Sequence, residues 1–174
     1  PWFDAYPAGT PHEIVMPANN TSLIDVFEKS IQQFGSRDAF VCMGKTITYS
    51  ELDQKSRQFA AYLQSLGLKK GARVAVMMPN VLQYPISVLA IIRAGYVLVN
   101  VNPLYTAREL EHQLKDSGSE VIIVLENFAT VLQEVVANTP VKHVIVASVG
   151  EMLGLVKGTI VNFVVRNVRK QVPA

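Results

Sequence analysis

The stretch that decides the fold is Ile91–Gly118, which reads IIRAGYVLVNVNPLYTARELEHQLKDSG. An apolar helix end leads through Gly95 into an uninterrupted apolar run, Val97–Val101. A short apolar run between two helices is typical of a strand buried in a parallel sheet. Thr106 opens a Thr-x-x-Glu capping box, which predicts the start of a new helix. Because α/β sheets bind ligands outside the carboxyl ends of their strands, the loop 102–105 is a candidate site.

The same alternation of helix and strand continues on both sides of this stretch. Further strands are predicted at Arg73–Met78, Val121–Leu125 and His143–Ala147. Helical patterns separate them, and that of Val81–Ala94 is apolar nearly all round, with Pro85 expected in its first turn. Strict alternation predicts an α/β fold with a mostly parallel sheet and helices on both faces.

A helix and a hairpin are predicted before the alternating part. Thr21 or Ser22 caps the helix, whose apolar stripe is Leu23, Val26, Phe27, Ile31 and Phe34. Two short strands, Ala39–Met43 and Thr46–Thr48, flank Gly44-Lys45, which indicates a hairpin.

Two further helix caps are predicted from short motifs. Ser50 to Asp53 resembles a capping box, and its helix ends at Gly67. Asn127 is expected to cap the helix that follows the strand at Val121–Leu125.

Composition limits the class of protein. The chain has 174 residues, 49% of them hydrophobic, which fits one globular domain with a sizeable core. A net charge of +2 is too small to favour nucleic acid as a partner. Cys42 is the only cysteine, so no internal disulfide is possible, and we interpret it as a small buried hydrophobic residue. This cysteine usage favours a reducing, cytoplasmic location.

The ends of the sequence suggest a fragment of a longer protein. The first residues lack the basic and apolar regions of a signal peptide, and no apolar run is long enough to span a bilayer. We divide the chain into an irregular arm with four prolines (1–20), an α/β subdomain (21–150) and a tail (151–174) leading into a missing remainder.

The tail has the pattern of a basic amphipathic helix. Residues 154–174 include Lys157, Arg166, Arg169 and Lys170 but no acidic residue. Apolar residues recur every four positions, at Val156, Ile160, Val164, Val168 and Val172. Such a helix packs on another part of the protein, or it contacts an anionic membrane surface. The sequence leaves both interpretations open.

No complete active site is recognisable, and we predict no catalytic and no metal-binding residue. Gly44-Lys45-Thr46 is not a phosphate-binding loop, because such a loop needs glycine where Ala39 stands. No Gly-x-Gly-x-x-Gly motif occurs, and the three histidines lack metal-ligand spacing. Glu126 follows a strand, but one carboxylate is not a phospho-acceptor cluster.

Several blocks nevertheless resemble one enzyme family in the right order. ITYSELDQKSRQFAAYLQSLGLKKGARVAVMMPN (47–80) resembles the first conserved block of the acyl-adenylate-forming enzymes, and IIRAGYVLVNVNP (91–103) resembles the second. NPLYTARELEHQLKDSG (102–118) and KGTIVNFVVRNVRKQVP (157–173) are similar to bacterial long-chain fatty acid–CoA ligases. One departure is Ala72, where the family commonly has aspartate.

The resemblance implies the N-terminal subdomain of an enzyme that uses a long-chain fatty acid, ATP, Mg²⁺ and coenzyme A. The chain ends before the family's phosphate loop, so the ATP and Mg²⁺ sites are expected outside it and the fragment alone is expected to be inactive.

A loop near coenzyme A in related ligases corresponds here to Asn102, Pro103, Leu104 and Tyr105. The alternative is that these four residues form only a rigid turn. A homodimer and a peripheral position on the inner face of the membrane are further expectations. The alternatives are an acyl-adenylating enzyme for another acid and a non-catalytic α/β binding module.

Overall fold

The computed structural model describes residues 2–13 and 22–172. The helices are α1 (Leu23–Phe34), α2 (Tyr49–Ser65), α3 (Gln83–Arg93), α4 (Ala107–Ser117), α5 (Ala129–Val135) and α6 (Leu155–Phe163). The strands are β1 (Asp38–Cys42), β2 (Lys45–Thr48), β3 (Arg73–Met77), β4 (Val97–Asn100), β5 (Val121–Leu125) and β6 (His143–Ala147). Short 3₁₀ turns lie at Phe3–Ala5, Glu126–Phe128 and Val136–Asn138, and a π-helical turn at Val164–Val168 continues α6.

The main sheet is parallel and has the strand order β4-β3-β5-β6. Val74 and Val76 of β3 point towards α2 and α3, whereas Ala75 and Met77 point towards α4 and α5. Every residue of β5 is buried, because helices cover both of its faces and strands pair with both of its edges. The predicted α/β fold with helices on both faces is therefore confirmed.

The position of β4 differs from the prediction. We expected the run Val97–Val101 to be a buried strand, but β4 lies at the edge of the sheet and ends at Asn100. Val97 is 47% exposed. An apolar run specifies a strand, but its burial depends on how many neighbours the strand order gives it.

Two predicted caps are wrong. The helix at Ser50 is capped by Thr48, whose hydroxyl accepts a hydrogen bond from the Glu51 N–H while Glu51 accepts from Thr48 N–H. Thr48 therefore ends β2 and starts α2 with a full capping box. Asn127 caps no helix, because a 3₁₀ turn comes between β5 and α5, and Phe128 occupies the position before α5.

The first helix and the hairpin agree with the sequence in outline. Ser22 caps α1 with a capping box, while Thr21 lies outside the described residues. The apolar stripe is shifted, because Ile24, Phe27 and Ile31 pack inwards whereas Leu23 and Val26 are exposed.

The predicted hairpin forms, and its two strands are antiparallel. Its turn is one residue earlier than predicted, at Met43-Gly44, where φ is 50° and 72°. Two left-handed residues suit the right-handed twist of the strands.

The arm folds locally in the part that is described. Residues 3–5 form a 3₁₀ turn, and the Phe3 ring stacks on His12 with ring centroids 4.5 Å apart. Residues 14–20 of the predicted irregular arm lie outside the described part of the chain.

The tail is helical, as predicted, but three of the five residues in its predicted apolar stripe face solvent. Val156, Ile160 and Val168 are 76%, 58% and 65% exposed. The buried contact of α6 is made by Gly158, whose neighbour is Gly150. In residues 2–13 and 22–172, no helix is long and apolar enough to span a bilayer.

The capping box of α4 gives a test of pH dependence. Glu109 accepts a hydrogen bond from Thr106 N–H at 2.9 Å, and this bond lowers the pKa of Glu109 from its ordinary 4.5. Because the folded pKa lies below the unfolded one, the stabilisation is present above pH 4.5 and is lost as pH falls through the folded pKa.

Glu109→Gln keeps the hydrogen-bonding side chain but does not titrate, so it provides the matched control. Urea unfolding should show that wild type loses stability faster than Glu109→Gln between about pH 5 and about pH 3. Parallel pH profiles for the two proteins would contradict this account.

Candidate functional site

The four residues of the predicted loop form one tight turn after β4. The Asn102 side-chain oxygen accepts a hydrogen bond from the Leu104 N–H at 3.0 Å, and the Asn102 carbonyl accepts from the Tyr105 N–H at 3.1 Å. Asparagine commonly organises turns in this way. Leu104 is 82% exposed, whereas Tyr105 is half-buried against the core beside α4. The turn is thus rigid, and it presents Asn102 and Leu104 to solvent.

Side chains from both faces of the sheet fix the end of β4. The Tyr84 hydroxyl donates to Asn100 Oδ1 at 3.0 Å from α3, and Gln113 Nε2 donates to the Asn100 carbonyl at 2.8 Å from α4. The loop Asn102–Tyr105 is therefore held at the sheet edge.

The topological switch point lies elsewhere, between β3 and β5. The chain leaves β3 through α3 to reach β4 on one side, and it leaves β5 through α5 to reach β6 on the other. Adjacent parallel strands whose connections run in opposite directions leave a crevice outside their carboxyl ends, where α/β proteins bind ligands. The sequence pointed to the loop after β4, because the strand order that decides the switch point cannot be read from one strand.

A groove of about 420 Å³ occupies this crevice. Its lining is apolar except for two amide side chains, and consists of Pro79, Val81, Leu125, Asn127, Phe128, Val149 and Gln171. The volume lies within the range of about 300–1,000 Å³ that is usual for small-molecule pockets. Residues that directly follow β3, β5 and β6 thus meet in one concave surface.

An ion pair between a buried carboxylate and a half-exposed guanidinium lies beside the groove. Glu126 follows β5 and is 8% exposed. Arg166 from the π-helical turn donates to Glu126 Oε2 through Nε at 3.0 Å and Nη2 at 2.7 Å. This hydrogen bonding, with the charge of Glu126, raises the pKa of Arg166 above its ordinary value. Glu126 could be recognised in the sequence as a single carboxylate after a strand, but its partner could not, because Arg166 lies 40 residues further along the chain.

Polar contacts also hold α6 to the rest of the chain. Lys157 donates to the Met43 carbonyl at the hairpin turn. Asn162 accepts from the Gly150 N–H at 2.7 Å and donates to Ser148 Oγ at 3.1 Å. Two of the four basic residues in the tail are therefore engaged within the chain.

The described residues do not fit a magnesium site. In residues 2–13 and 22–172, no group of three or more His, Cys, Asp or Glu side chains is placed to hold a metal ion. Glu126, whose neighbours Leu125 and Asn127 line the groove, is bound by Arg166.

A family model described as AMP-binding enzyme matches residues 27–171. The chain belongs to this family. The resemblance stated from the sequence blocks is thereby confirmed. The long-chain-fatty-acid–CoA ligase of Escherichia coli O6:H1 is 53% identical to it over 173 residues, and that of Haemophilus influenzae is 50% identical. Both matches cover 99% of the chain but 31% of the relative, so the chain spans about a third of the length of these ligases.

A solved structure agrees with the fold. The crystal structure of a long-chain-fatty-acid-CoA ligase from Archaeoglobus fulgidus superposes on this AMP-binding family chain with a TM-score of 0.73 and 25% identity. The match covers 90% of the chain and 32% of that protein. The α/β architecture is therefore one that ligases of this family share.

Proposed function

We propose that this chain is the N-terminal part of a long-chain fatty acid–CoA ligase. The observation that carries the proposal is the 53% identity over 99% of the chain to a ligase of that name. In the proposed reaction a fatty acid carboxylate attacks the α-phosphate of ATP, and pyrophosphate leaves. The thiol of coenzyme A then attacks the acyl carbonyl, forming the thioester while AMP departs.

We assign a structural role in this reaction to the described part of the chain. Phosphoryl and acyl transfer need donors and cations preorganised around the developing charge. The sequence contains no phosphate-binding loop, and the described residues do not fit Mg²⁺. We therefore place the ATP and Mg²⁺ sites on residues outside this chain.

The experiment uses the whole protein that contains this chain. Pyrophosphate release from ATP should require palmitate, and addition of coenzyme A should yield palmitoyl-CoA. Release with an aryl acid such as anthranilate but not with palmitate would instead support the alternative of an acyl-adenylating enzyme for another acid. Absence of release with every acid would support the non-catalytic module.

We further propose that the turn Asn102–Tyr105 contacts coenzyme A in the whole enzyme. Its support is position, since it follows a parallel strand and exposes Leu104. Leu104→Ser should raise the KM for coenzyme A several-fold while leaving the KM for ATP unchanged. Tyr105→Ala should raise the KM for coenzyme A too, but it also removes a half-buried ring, so Leu104 provides the cleaner test. Unchanged KM values for Leu104→Ser would contradict the proposal.

A peripheral membrane position is a further proposal, with α6 as the contact. Leu155, Val156 and Phe163 are 92%, 76% and 60% exposed, and the exposed Arg169 and Lys170 follow. An apolar face flanked by cations suits the surface of an anionic bilayer on the cytoplasmic side.

Sedimentation with phosphatidylglycerol vesicles tests this contact. The chain should bind in low salt and be released in high salt, and Phe163→Ser should weaken binding. Tyr62→Ser, at a ring that is 50% exposed on α2, is the matched control and should leave binding unchanged. Equal loss in both variants would count against α6 as the contact.

We also propose a homodimer formed through the open edge of β6. Among the described residues β6 pairs only with β5, its Val144 and Val146 are 45% and 56% exposed, and open sheet edges readily pair with another chain. Sedimentation velocity should show a dimer that Val146→Lys converts to monomer. A monomer at all concentrations of the unmodified chain would exclude it.

A further inference from the structure

We propose that the groove at the β3–β5 switch point binds a small, largely apolar molecule that carries a secondary amide, and that residues 164–171 form a lid over it. The site is separate from the turn proposed for coenzyme A, since none of the residues 102–105 lines the groove. The groove and the lid meet at the side chain of Asn127.

The floor of the groove requires an apolar ligand body. Leu125 and Phe128 come from the end of β5, Pro79 and Val81 from the end of β3, and Val149 from the end of β6. Glu126, which stands between the lining residues Leu125 and Asn127, is neutralised by Arg166, and the exposed Arg169 and Lys170 precede the lining residue Gln171. Because none of the described lining residues is charged, a charged ligand would lose its hydration in the groove without meeting an opposite charge in its wall.

The Asn127 carboxamide specifies the polar part of the ligand. Its Nδ2 donates to the Gln171 carbonyl at 3.4 Å, a long bond. Its Oδ1 is buried and accepts no hydrogen bond from the part of the chain that the structure describes. Buried polar groups are normally paired, so an acceptor without a donor calls for an explanation. A secondary amide supplies what this pair of atoms lacks, because its carbonyl accepts from Nδ2 while its N–H donates to Oδ1.

The lid is held by few contacts. Its polar attachments over the groove are the Glu126–Arg166 ion pair and the bond to Asn127. The chain turns back at Lys170, whose φ of 49° is left-handed, and the Gln171 N–H donates to the Val165 carbonyl at 2.9 Å. This turn places the Gln171 peptide where the amide of the ligand would lie. The lid must therefore lift for the ligand to enter, and Arg166 is the residue that keeps it closed.

The test compares two probes of equal shape. N-butylbenzamide carries the secondary amide, whereas butyl benzoate replaces its N–H by an ether-type oxygen. Titration of the ¹⁵N-labelled chain should shift the amide resonances of Leu125 and Phe128. The amide probe should bind about tenfold more tightly than the ester, since the ester leaves Oδ1 without a donor.

Two variants separate the amide contact from the lid. Asn127→Leu should abolish the preference for amide over ester. Arg166→Gln should tighten binding of both probes, because the closed lid no longer competes with them. Equal affinities of amide and ester for the unmodified chain, or shifts confined to the outer face of α6, would overturn the proposal. The comparison of amide and ester on the unmodified chain needs no variant, so it tests the proposal even if both variants fail to fold. Its outcome does not depend on the result of the ligase assay.

Discussion

Replacing Arg93 by methionine should lower the free energy of unfolding by about 3 kcal/mol, the lower end of the cost of breaking a buried ion pair. The Arg93 side chain is 7% exposed and comes from α3. Its Nη1 donates to Glu28 of α1 at 3.0 Å, and its Nη2 donates to Asp53 of α2 at 2.5 Å. One guanidinium thus joins three helices.

The lower end of that range applies because both carboxylates keep other means of stabilisation. The Asp53 and Glu28 side chains are 24% and 41% exposed, so water partly solvates them in the variant. Asp53 also keeps its contact with Arg57 at 3.0 Å. Arg93 Nε is buried without a partner among the described residues, which already costs the native state some stability.

Arg57→Met is the matched control. Arg57 touches the same two carboxylates, but its side chain is 57% exposed, so its loss should cost less than about 1 kcal/mol. Urea unfolding measures both values. Hydrogen exchange should show that α1 loses protection in Arg93→Met, because α1 buries no residue fully and the bond from Arg93 to Glu28 is one of the contacts that attach it. Equal destabilisation by the two variants would show that the burial of Arg93 does not determine its contribution to the free energy of unfolding.

Local sequence patterns predicted where the helices and strands of this fold lie better than they predicted how deeply each element is buried. The strands Val121–Leu125 and His143–Ala147 and the capping box of α4 are where the sequence indicated. Each depends on neighbours within one turn or one strand. The exposure of Val97 depends instead on the strand order, which no local pattern contains.

The cap of α2 was readable but was assigned to the wrong residue. Thr48-Tyr49-Ser50-Glu51 is a full Thr-x-x-Glu box, and Ser50 to Asp53 is a weaker version two residues later. We assigned Thr48 to the strand alone, although one residue can end a strand and cap the next helix.

The candidate site was the least predictable part, because its contacts join distant residues. The chain brings Pro79, Leu125 and Val149 together only through the strand order β3-β5-β6. The partner of Glu126 comes from a tail whose spacing predicted a helix but not which side would face the protein. The buried side of α6 contains glycine and asparagine, and hydrophobic periodicity does not detect these residues.

Gly158 of α6 faces Gly150 so closely that a Cβ on either residue would overlap the carbonyl oxygen of the other. Gly158→Ala should therefore detach α6 and the lid from the strand ends. Overpacking costs about 1–3 kcal/mol, and we expect the upper part of this range because both colliding groups are backbone. Alanine favours a helix over glycine by about 1 kcal/mol, which offsets part of the cost but does not remove the collision.

Thr159→Ala, at the next position, separates these two effects. Thr159 is exposed, and its hydroxyl donates only to the Leu155 carbonyl of its own helix. This variant gains helix propensity without a collision, so it should keep α6 in place. Hydrogen exchange across residues 150–171 should accelerate in Gly158→Ala and not in Thr159→Ala, while β3 and β5 stay protected in both. Unchanged exchange in Gly158→Ala would mean that the close approach of the two glycines does not hold α6 against the sheet.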